Sequence, residues 1–272
     1  MNHTIENTLL RLTVSDHGAE LQDLRTLASP EIPLLWDGKK EHWPRRAPIC
    51  FPWCGRVEEN WYEFAGKRYE NLPQHGFVRD VEHTLVEQTP DSLTFRLDWP
   101  GDDKLWPWAF TLETRHALEG NVLVTTCTAL NRSESPMPVQ LGFHVGLSCP
   151  FTPGKALEDF CIRWEKPEAP GGTDLFPLDH HSFDNDSICF PGLRSRYLQV
   201  EEKGTGRYLR VETENWPYVL IWSALGVPDF VCIEPWTGYP GPGHDLSHRP
   251  GTELLPPNHP FTRTHRLTVE LG

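Results

Sequence analysis

Long apolar stretches and basic charge are both scarce in this sequence. No stretch approaches the roughly 20 apolar residues of a membrane helix, and the first residues, MNHTIENTLLRLTVSD, lack the basic start and apolar centre of a signal peptide. Lys and Arg number 25 against 38 Asp and Glu, which gives a formal net charge of −13. Because such an acidic surface repels phosphate backbones and anionic lipids, we expect neither a nucleic-acid partner nor a membrane partner.

Motifs that hold cofactors or activate nucleophiles are also missing. No Gly-x-Gly-x-x-Gly follows a strand pattern, and the sequence has no P-loop, no Gly-x-Ser-x-Gly and no His-Glu-x-x-His. The seven cysteines include no Cys-x-x-Cys pair, and several stand in apolar runs, such as Cys232 in FVCIE. This usage is typical of reduced, buried thiols and predicts a cytoplasmic protein.

Proline and glycine, by contrast, are abundant, at 26 and 21 of 272 residues. They leave few windows for a helix of ordinary length. Strand patterns are plentiful: LTFRLDW places Leu93, Phe95, Leu97 and Trp99 on one face, and RLTVEL alternates in the same way. The short apolar runs YVLIWS and DFVCIEPW predict strands buried on both faces. We therefore predict an all-β sandwich or barrel, with residues 1–272 as a single domain.

Three polar residues stand in contexts that suit chemistry. Glu234 ends the apolar run VCIE, and we expect the following Pro235 to break the strand and leave the carboxylate at its rim. Partial desolvation there raises the pKa of a carboxyl and makes it a better base. His144 lies in the Gly-flanked apolar segment QLGFHVGLSCP, and His75 precedes Gly76, which permits the close approach of a substrate or another chain segment.

A fourth residue, Arg56, follows a glycine in PICFPWCGRVEEN, and a guanidinium can bind two sugar hydroxyls at once. Each candidate has an ordinary alternative. For Arg56 it is a salt bridge with Glu58 or Glu59, for the histidines a buried or turn role, and for the carboxylate an ion pair or solvent. The 11 tryptophans add flat apolar faces that suit the C–H faces of a pyranose.

Two further groups of residues carry the ligand types of a metal site. His244, Asp245 and His248 form one, and His180 with His181 forms the other. Both stand in loop-like contexts without a further ligand cluster at a suitable spacing. We therefore interpret them as solvated loop histidines and predict no metal site.

Taken in order, several segments resemble the aldose 1-epimerase (galactose mutarotase-like) family, in its shorter bacterial branch. They are HGAELQDL, LLWDG, APICFPWCGR, GKRYENLPQHGFVRD, GFHVGL, YVLIWS and FVCIEPWTG. The resemblance spans nearly the whole chain, and QHGFVRD followed by CIEPW is its most specific part. It implies a large antiparallel β-supersandwich. It also implies an isomerase of carbohydrate metabolism that interconverts the α and β anomers of a free aldohexose, without a metal or a cofactor.

The resemblance also implies a role for each candidate. Glu234 is the base that removes the proton from the anomeric hydroxyl, and His144 is the acid that protonates the ring oxygen. His75 is the second catalytic histidine, which either holds the ring-oxygen side or assists proton delivery, and Arg56 holds sugar hydroxyls. Trp236 is expected at the substrate as well.

The sugar-binding aspartate is harder to place, with Asp186 in FDNDSICF as the candidate and Asp184 as its alternative. The small-molecule sugar is the one partner that we expect besides a second copy of the chain, since the protein is predicted to be a monomer or a homodimer.

Three alternatives to this function stay open. A hexose-6-phosphate mutarotase needs basic groups for the phosphate, which Arg45, Arg46 and Arg79 can supply. The net acidity and the Gly55-Arg56 motif favour a neutral sugar instead. A sugar-binding protein without turnover is compatible with the same fold. A glycosidase requires two carboxylates that flank the bond, and Glu234 alone has a convincing context.

Overall fold

Nearly all of the regular structure is β-strand in the computed structural model, which describes residues 1–226 and 229–272. The helical elements of these residues are four single turns of 3-10 helix, at Glu58–Asn60, Val78–Asp80, Leu157–Asp159 and Leu246–His248. The density of proline and glycine accounts for this, because both residues interrupt helices. No helix in residues 1–226 and 229–272 has the length and apolar character that crossing a membrane requires.

Short turns and several longer loops connect the strands of the described residues. In chain order they are β1 (Asn2–Glu6), β2 (Leu10–Ser15), β3 (Leu21–Thr26), β4 (Ile49–Cys50), β5 (Tyr62–Phe64), β6 (Lys67–Tyr69), β7 (Thr84–Gln88), β8 (Ser92–Trp99), β9 (Phe110–Glu119), β10 (Val122–Asn131), β11 (Met137–Val139), β12 (Gly142–Phe143), β13 (Val145–Ser148), β14 (Phe160–Trp164), β15 (Leu175–Pro177), β16 (Ile188–Pro191), β17 (Tyr197–Glu202), β18 (Tyr208–Glu212), β19 (Tyr218–Trp222), β20 (Phe230–Trp236), β21 (Glu253–Leu255) and β22 (Pro260–Glu270).

Two antiparallel sheets dominate the architecture. The larger has nine strands in the order β15-β14-β17-β18-β22-β10-β9-β8-β7. The smaller has the order β16-β19-β20-β12-β4, and β13 also pairs with β20. A three-stranded sheet, β1-β2-β3, and two strand pairs, β11-β21 and β5-β6, complete the fold. The predicted all-β class and antiparallel sandwich are confirmed.

The main hydrophobic cluster joins one face of each large sheet. In β8, Leu93, Phe95 and Leu97 are buried in this cluster, as the alternation in the sequence predicts. In β20, Val231 and Ile233 belong to the same cluster. Since side chains alternate along a strand, the intervening residues point to the opposite face of the six-stranded sheet, which we call its outer face. They are Phe230, Cys232, Glu234 and Trp236.

Strand β20 continues past Glu234, so the prediction that Pro235 breaks the strand is wrong. Pro235 pairs with Val219 of β19. On its other side, β12 pairs with β20 at Trp236 and β13 begins its pairing at Ile233, so the neighbouring chain is interrupted at the level of the proline. A proline is tolerated in a sheet where no ladder partner requires its missing N–H. The carboxylate therefore lies inside the strand rather than at its rim.

Candidate active site

A cavity of about 620 Å³ opens over the outer face of the six-stranded sheet. The six site residues predicted from the sequence all line it; they are Arg56, His75, His144, Asp186, Glu234 and Trp236. Its volume lies in the range of small-molecule pockets, about 300–1,000 Å³. Strand β20 supplies the carboxylate and the tryptophan, the break between β12 and β13 supplies one imidazole, and loops supply the other three residues.

The side chains of His144 and Glu234 lie against each other in this cavity. Nε2 of His144 is 3.3 Å from Oε2 of Glu234, and the two side chains are 8% and 2% exposed. Burial raises the pKa of Glu234 well above its usual range, and Cys50 and Asp186 raise it further. Burial, with a smaller effect of the charge on Arg79, lowers the pKa of His144 to about 3. Each shift disfavours a charged form, so the pair retains one proton around neutral pH.

Aromatic rings fix the orientation of His144. Its ring stacks on Trp43 with a centroid distance of 4.8 Å and meets the edges of His75 at 5.3 Å and Trp222 at 5.5 Å. Its backbone N–H donates to the carbonyl oxygen of Pro48 at 3.1 Å. Packed on these sides, the imidazole keeps Nε2 directed at the buried carboxylate.

His75 is held by its backbone and by one ring nitrogen. Its φ is 66°, in the left-handed region, and Gly76 follows with a φ of 73°. The backbone N–H of Gly55 donates to Nδ1 of His75 at 3.1 Å. Burial, and then the neighbouring His144, lower the pKa of His75 well below its usual range, so its ring is neutral at pH 7. Since Nδ1 accepts, the neutral ring carries its proton on Nε2 and can donate it to a ligand.

The guanidinium of Arg56 is exposed at the mouth of the cavity and forms no hydrogen bond or ion pair with the residues that the structure describes. The predicted alternative, a salt bridge with Glu58 or Glu59, does not form. The carboxylate of Glu58 accepts the backbone N–H of Gly243, and that of Glu59 accepts Nε1–H of Trp61 at 2.9 Å. Arg56 is therefore available to bind hydroxyl or anionic groups of a ligand.

Of the two aspartates considered for the sugar, the cavity includes Asp186. Asp186 has a φ of 74°, and its Oδ1 accepts the backbone N–H of Ser187 at 2.7 Å. Asp184 instead accepts a hydrogen bond from Nδ1 of His181 at 2.9 Å on the exposed loop. The structure therefore brings Asp186, and not Asp184, to the site.

Other lining residues were not assigned to a sugar site from the sequence; they include Trp43, Gln74, Arg79, Trp222 and Tyr239. Trp222 alternates in β19 with Ile221, which belongs to the main core, so the sequence contains the signal that places it on the other face. Trp43 stands in a loop, and nothing in its sequence context separates it from the other tryptophans.

The three arginines considered for a phosphate differ in their contacts. Arg79 lines the cavity, and its buried Nε has no hydrogen-bond partner among the described residues, with the carboxylate of Asp80 3.8 Å away. Arg45 also reaches the cavity, but it pairs with Asp80 and lies 3.5 Å from Glu20. Arg46 is not among the lining residues. The predicted cluster is thus reduced to one guanidinium with free donors beside that of Arg56.

The loop histidines considered as metal ligands have other partners. The ring of His244 stacks on Trp61 with a centroid distance of 3.3 Å. Nδ1 of His248 lies 2.7 Å from Oδ2 of Asp245 on an exposed loop. The histidines at 180–181 are exposed as well.

Comparison with known proteins places these features in a family. The sequence model of the family described as Aldose 1-epimerase matches residues 1–164. The protein LacX of Lactococcus lactis subsp. lactis, in its plasmid and chromosomal forms, is 26% identical, and the match covers 99% of this chain and 99% of each relative.

Solved structures agree over the whole chain. The galactose mutarotase related enzyme from Lactobacillus acidophilus superposes with a TM-score of 0.91 at 28% identity, over 100% of this chain and 98% of that one. A galactose mutarotase-like protein from Lactobacillus casei ATCC 334 gives a TM-score of 0.90 at 23% identity, over 99% and 100%, and supports the fold. The chain belongs to the aldose 1-epimerase family.

Proposed function

We propose that the protein is an aldose 1-epimerase, or mutarotase, that interconverts the α and β anomers of a free aldohexose. The observation that carries the proposal is the 3.3 Å contact between His144 and Glu234 in a cavity of sugar size. Membership of the family supports it, as does the 28% identity with a galactose mutarotase related enzyme. A protein that only binds sugar has no need of a buried acid–base pair.

In the proposed reaction Glu234 accepts the proton of the anomeric hydroxyl O1, and His144 donates a proton to the ring oxygen O5. The C1–O5 bond breaks, a C1=O1 carbonyl forms, and the sugar opens to the aldehyde. Rotation about C1–C2 presents the other carbonyl face, and the two proton transfers then run in reverse. A positioned acid and a positioned base each contribute about a hundredfold or more to such a step.

The single proton of the buried pair suits this sequence of steps. Burial favours the form with the proton on Glu234 and a neutral His144. The reaction starts from the other form, in which the proton has moved across the 3.3 Å contact to His144 and the carboxylate of Glu234 is free to act as the base. After opening, the pair still holds one proton, which is now on Glu234, and the imidazole of His144 is neutral. Because the sugar gives one proton and takes one, the pair passes between these two forms without any exchange with solvent. Burial of both groups therefore does not obstruct turnover.

The remaining predicted residues are proposed to bind the sugar. His75 donates from Nε2 on the ring-oxygen side, and Arg56 and Asp186 contact hydroxyls at the mouth of the cavity. The indole of Trp236 packs edge-on against His75 with a centroid distance of 5.3 Å, and its buried Nε1–H has no partner among the described residues. It offers an apolar face and one donor.

The direct test is the rate at which freshly dissolved α-glucose and α-galactose reach anomeric equilibrium, followed by polarimetry or anomeric-proton NMR. We expect catalytic amounts of the protein to accelerate equilibration. If neutral sugars and their 6-phosphates both equilibrate at the rate of buffer, the proposal is wrong, and saturable sugar binding without acceleration would identify a binding protein. Aryl glycosides are a further control, because release of the aryl alcohol would indicate a glycosidase. Asp186 is the other carboxylate that lines the cavity with Glu234.

A hexose-6-phosphate mutarotase is the second candidate, and Arg79 favours it. The partly buried side chain of Arg79 lines the cavity and its Nε has no partner among the described residues, and Arg56 adds a second free cation at the mouth. Guanidinium groups bind phosphate with two parallel hydrogen bonds. If the substrate is phosphorylated, sugar 6-phosphates should compete at far lower concentration than free sugars, and Arg79→Met should remove that preference while it spares the mutarotation of free glucose.

Three further features belong to the same proposal. The main hydrophobic cluster runs from Ile5 to Val269, which supports one domain over residues 1–272. The seven free cysteines are typical of a reducing compartment and support a cytoplasmic location. The protein is proposed to be a monomer or a homodimer, with a sugar as its small-molecule partner.

A further inference from the structure

A buried thiol lies beside the proposed acid–base pair. Cys232 stands two positions before Glu234 in β20, so both side chains point to the outer face of the six-stranded sheet. The thiol has no exposed surface. Its Sγ, a ring nitrogen of His144 and a carboxylate oxygen of Glu234 all lie within 4.8 Å of one another. Among residues 1–226 and 229–272, this is the group in which three ligand atoms of His, Cys, Asp or Glu come this close to one another.

These three donors are a ligand set that zinc accepts. Zn²⁺ binds imidazole nitrogen, thiolate sulfur and carboxylate oxygen, at about 2.0–2.3 Å from each. Two ligand atoms of one tetrahedral zinc therefore lie about 3.3–3.8 Å apart. The His144–Glu234 distance of 3.3 Å already satisfies this spacing. The sulfur of Cys232 lies at most 4.8 Å from the other two ligand atoms. A shift of the sulfur by about 1 Å, through rotation of the side chain, brings these distances into the same range.

The surroundings hold the donors in place and give access to them. Two of the donors share one strand at the centre of the sheet, and the rings of Trp43 and Trp222 pack against the imidazole. His144 and Glu234 line the cavity, so an ion can enter from it. Three protein ligands leave a fourth tetrahedral position, which can take water or a sugar hydroxyl.

We propose that His144, Cys232 and Glu234 bind Zn²⁺ or a similar borderline transition-metal ion, and that the bound ion inhibits the enzyme. The thiol binds as the thiolate and Glu234 binds as the carboxylate, so the thiol proton and the one proton of the His144–Glu234 pair both pass to water. The ion occupies the lone pair of the imidazole and one carboxylate oxygen, so neither group can exchange a proton with the hemiacetal. The inhibition rests on the proposed function, whereas the binding does not.

Metal binding is tested with Co²⁺, which replaces zinc and reports its ligands by absorption. Chelator-treated protein titrated with Co²⁺ should develop a sulfur-to-cobalt charge-transfer band and tetrahedral visible bands at one ion per chain, and Zn²⁺ should abolish both. Excess Mg²⁺ should not, because it prefers oxygen ligands. Absence of a charge-transfer band in the wild-type protein overturns the proposal, whatever the protein catalyses.

Two variants assign the sulfur. In Cys232→Ser the charge-transfer band should disappear, and Zn²⁺ should bind at least about tenfold more weakly. Cys189→Ser is the matched control, because this half-buried thiol lies near Glu234 but outside the three-ligand group. A band that survives in Cys232→Ser, or that vanishes in Cys189→Ser instead, contradicts the assignment. If the serine variant does not fold, Cys232→Ala provides the same comparison.

The inhibitory consequence is measured separately. Zn²⁺ should slow mutarotation, saturating sugar should raise the Zn²⁺ concentration required, and Cys232→Ser should need at least about tenfold more Zn²⁺ relative to its own metal-free rate. A wild-type protein that shows the cobalt band but keeps its full rate with bound Zn²⁺ overturns the inhibition. If the protein has no mutarotase activity, the proposed function fails while the cobalt spectrum still decides the metal site.

Discussion

The carbonyl oxygen of Phe51 occupies the space that a Cβ atom on Gly76 would need. Around this contact the two segments are joined by hydrogen bonds: the N–H of Phe51 donates to the carbonyl of His75 at 3.2 Å, and the N–H of Phe77 donates to the carbonyl of Phe51 at 3.1 Å. The close approach places His75 beside Gly55 and thereby orients its ring toward the cavity. Gly76 is thus required by another chain segment, one of the two roles considered from the sequence.

Gly76→Ala should therefore be strongly destabilised. An alanine with a positive φ costs about 1–2 kcal/mol, and overlap with a fixed carbonyl adds about 1–3 kcal/mol. The free energy of unfolding from urea titration measures the sum. Gly120→Ala is the matched control, since Gly120 has a φ of 62° but open space where a Cβ would lie. Equal losses in the two variants would refute the role of the Phe51 contact.

Glu234→Gln should reduce the rate of mutarotation by at least about a hundredfold, because the amide cannot accept the O1 proton. The substitution conserves the volume of a side chain that is 2% exposed. Sugar binding, measured by calorimetry, should be largely retained. Full activity in the variant would remove Glu234 from the mechanism, and circular dichroism distinguishes loss of chemistry from loss of the fold.

Arg56→Met should raise KM by about tenfold or more with a smaller effect on kcat, because hydrogen bonds to a charged group contribute about 1.5–3 kcal/mol. KM should change more than kcat because Arg56 binds hydroxyls that are remote from the reacting bond. Arg68→Met is a suitable control, as Arg68 packs over Trp61 outside the cavity. An equal fall in kcat with unchanged KM would assign Arg56 to the chemical step instead.

Glu20 stabilises the segment that leads into the cavity wall. Its buried Oε1 accepts the backbone N–H groups of Arg46 at 2.7 Å and Ala47 at 3.0 Å, and its Oε2 lies 3.5 Å from Arg45. Glu20→Ala leaves these donors without their acceptor and should lower the free energy of unfolding by about 2–4 kcal/mol.

Glu20→Gln should lose less than Glu20→Ala, because an amide oxygen can still accept from the backbone. Glu41→Ala, at an exposed position, should change the free energy of unfolding by less than about 0.5 kcal/mol. The same urea titrations compare the three variants, and a Gln variant as unstable as the Ala variant would show that the charge rather than the hydrogen bonds matters.

The strands were predictable because their patterns are local. Apolar alternation identified β8, and continuous apolar runs identified β19 and β20. The position of Glu234 inside β20 could not be predicted from the sequence. It depends on an interruption in the neighbouring chain that the residues around Pro235 do not encode.

The residues of the candidate site divide in the same way. His75, His144 and Glu234 stand in distinctive contexts, and the structure brings them together. Arg79 and Trp43 were not assigned to a sugar site, because a lining role depends on which loops meet over the sheet. That arrangement is set by long-range packing rather than by local sequence.

A second set of buried histidines, away from the cavity, links stability to pH. His265 of β22 and His116 of β9 both pair with Thr125 of β10, so the three residues form one row across the nine-stranded sheet. Burial lowers the pKa of His265 to about 3 and that of His116 to about 4. Unfolding returns each imidazole toward its usual value of 6.5. Between these limits the unfolded chain binds more protons, so the stability of the fold decreases as the pH falls.

His265→Phe should remove one such contribution. From pH 7 to pH 5 the wild-type protein loses about 2 kcal/mol through His265 alone, because its slope approaches about 1.4 kcal/mol per pH unit below the unfolded pKa. The variant, whose phenyl ring replaces an imidazole already packed at 5.2 Å from Phe143, should lose about 2 kcal/mol less over the same range. Urea titrations at several pH values measure this. Above pH 7.5, where neither state of His265 takes up a proton, the difference between variant and wild type should be constant. A variant whose stability falls in parallel with the wild type down to pH 5 would mean that His265 is protonated in the folded protein.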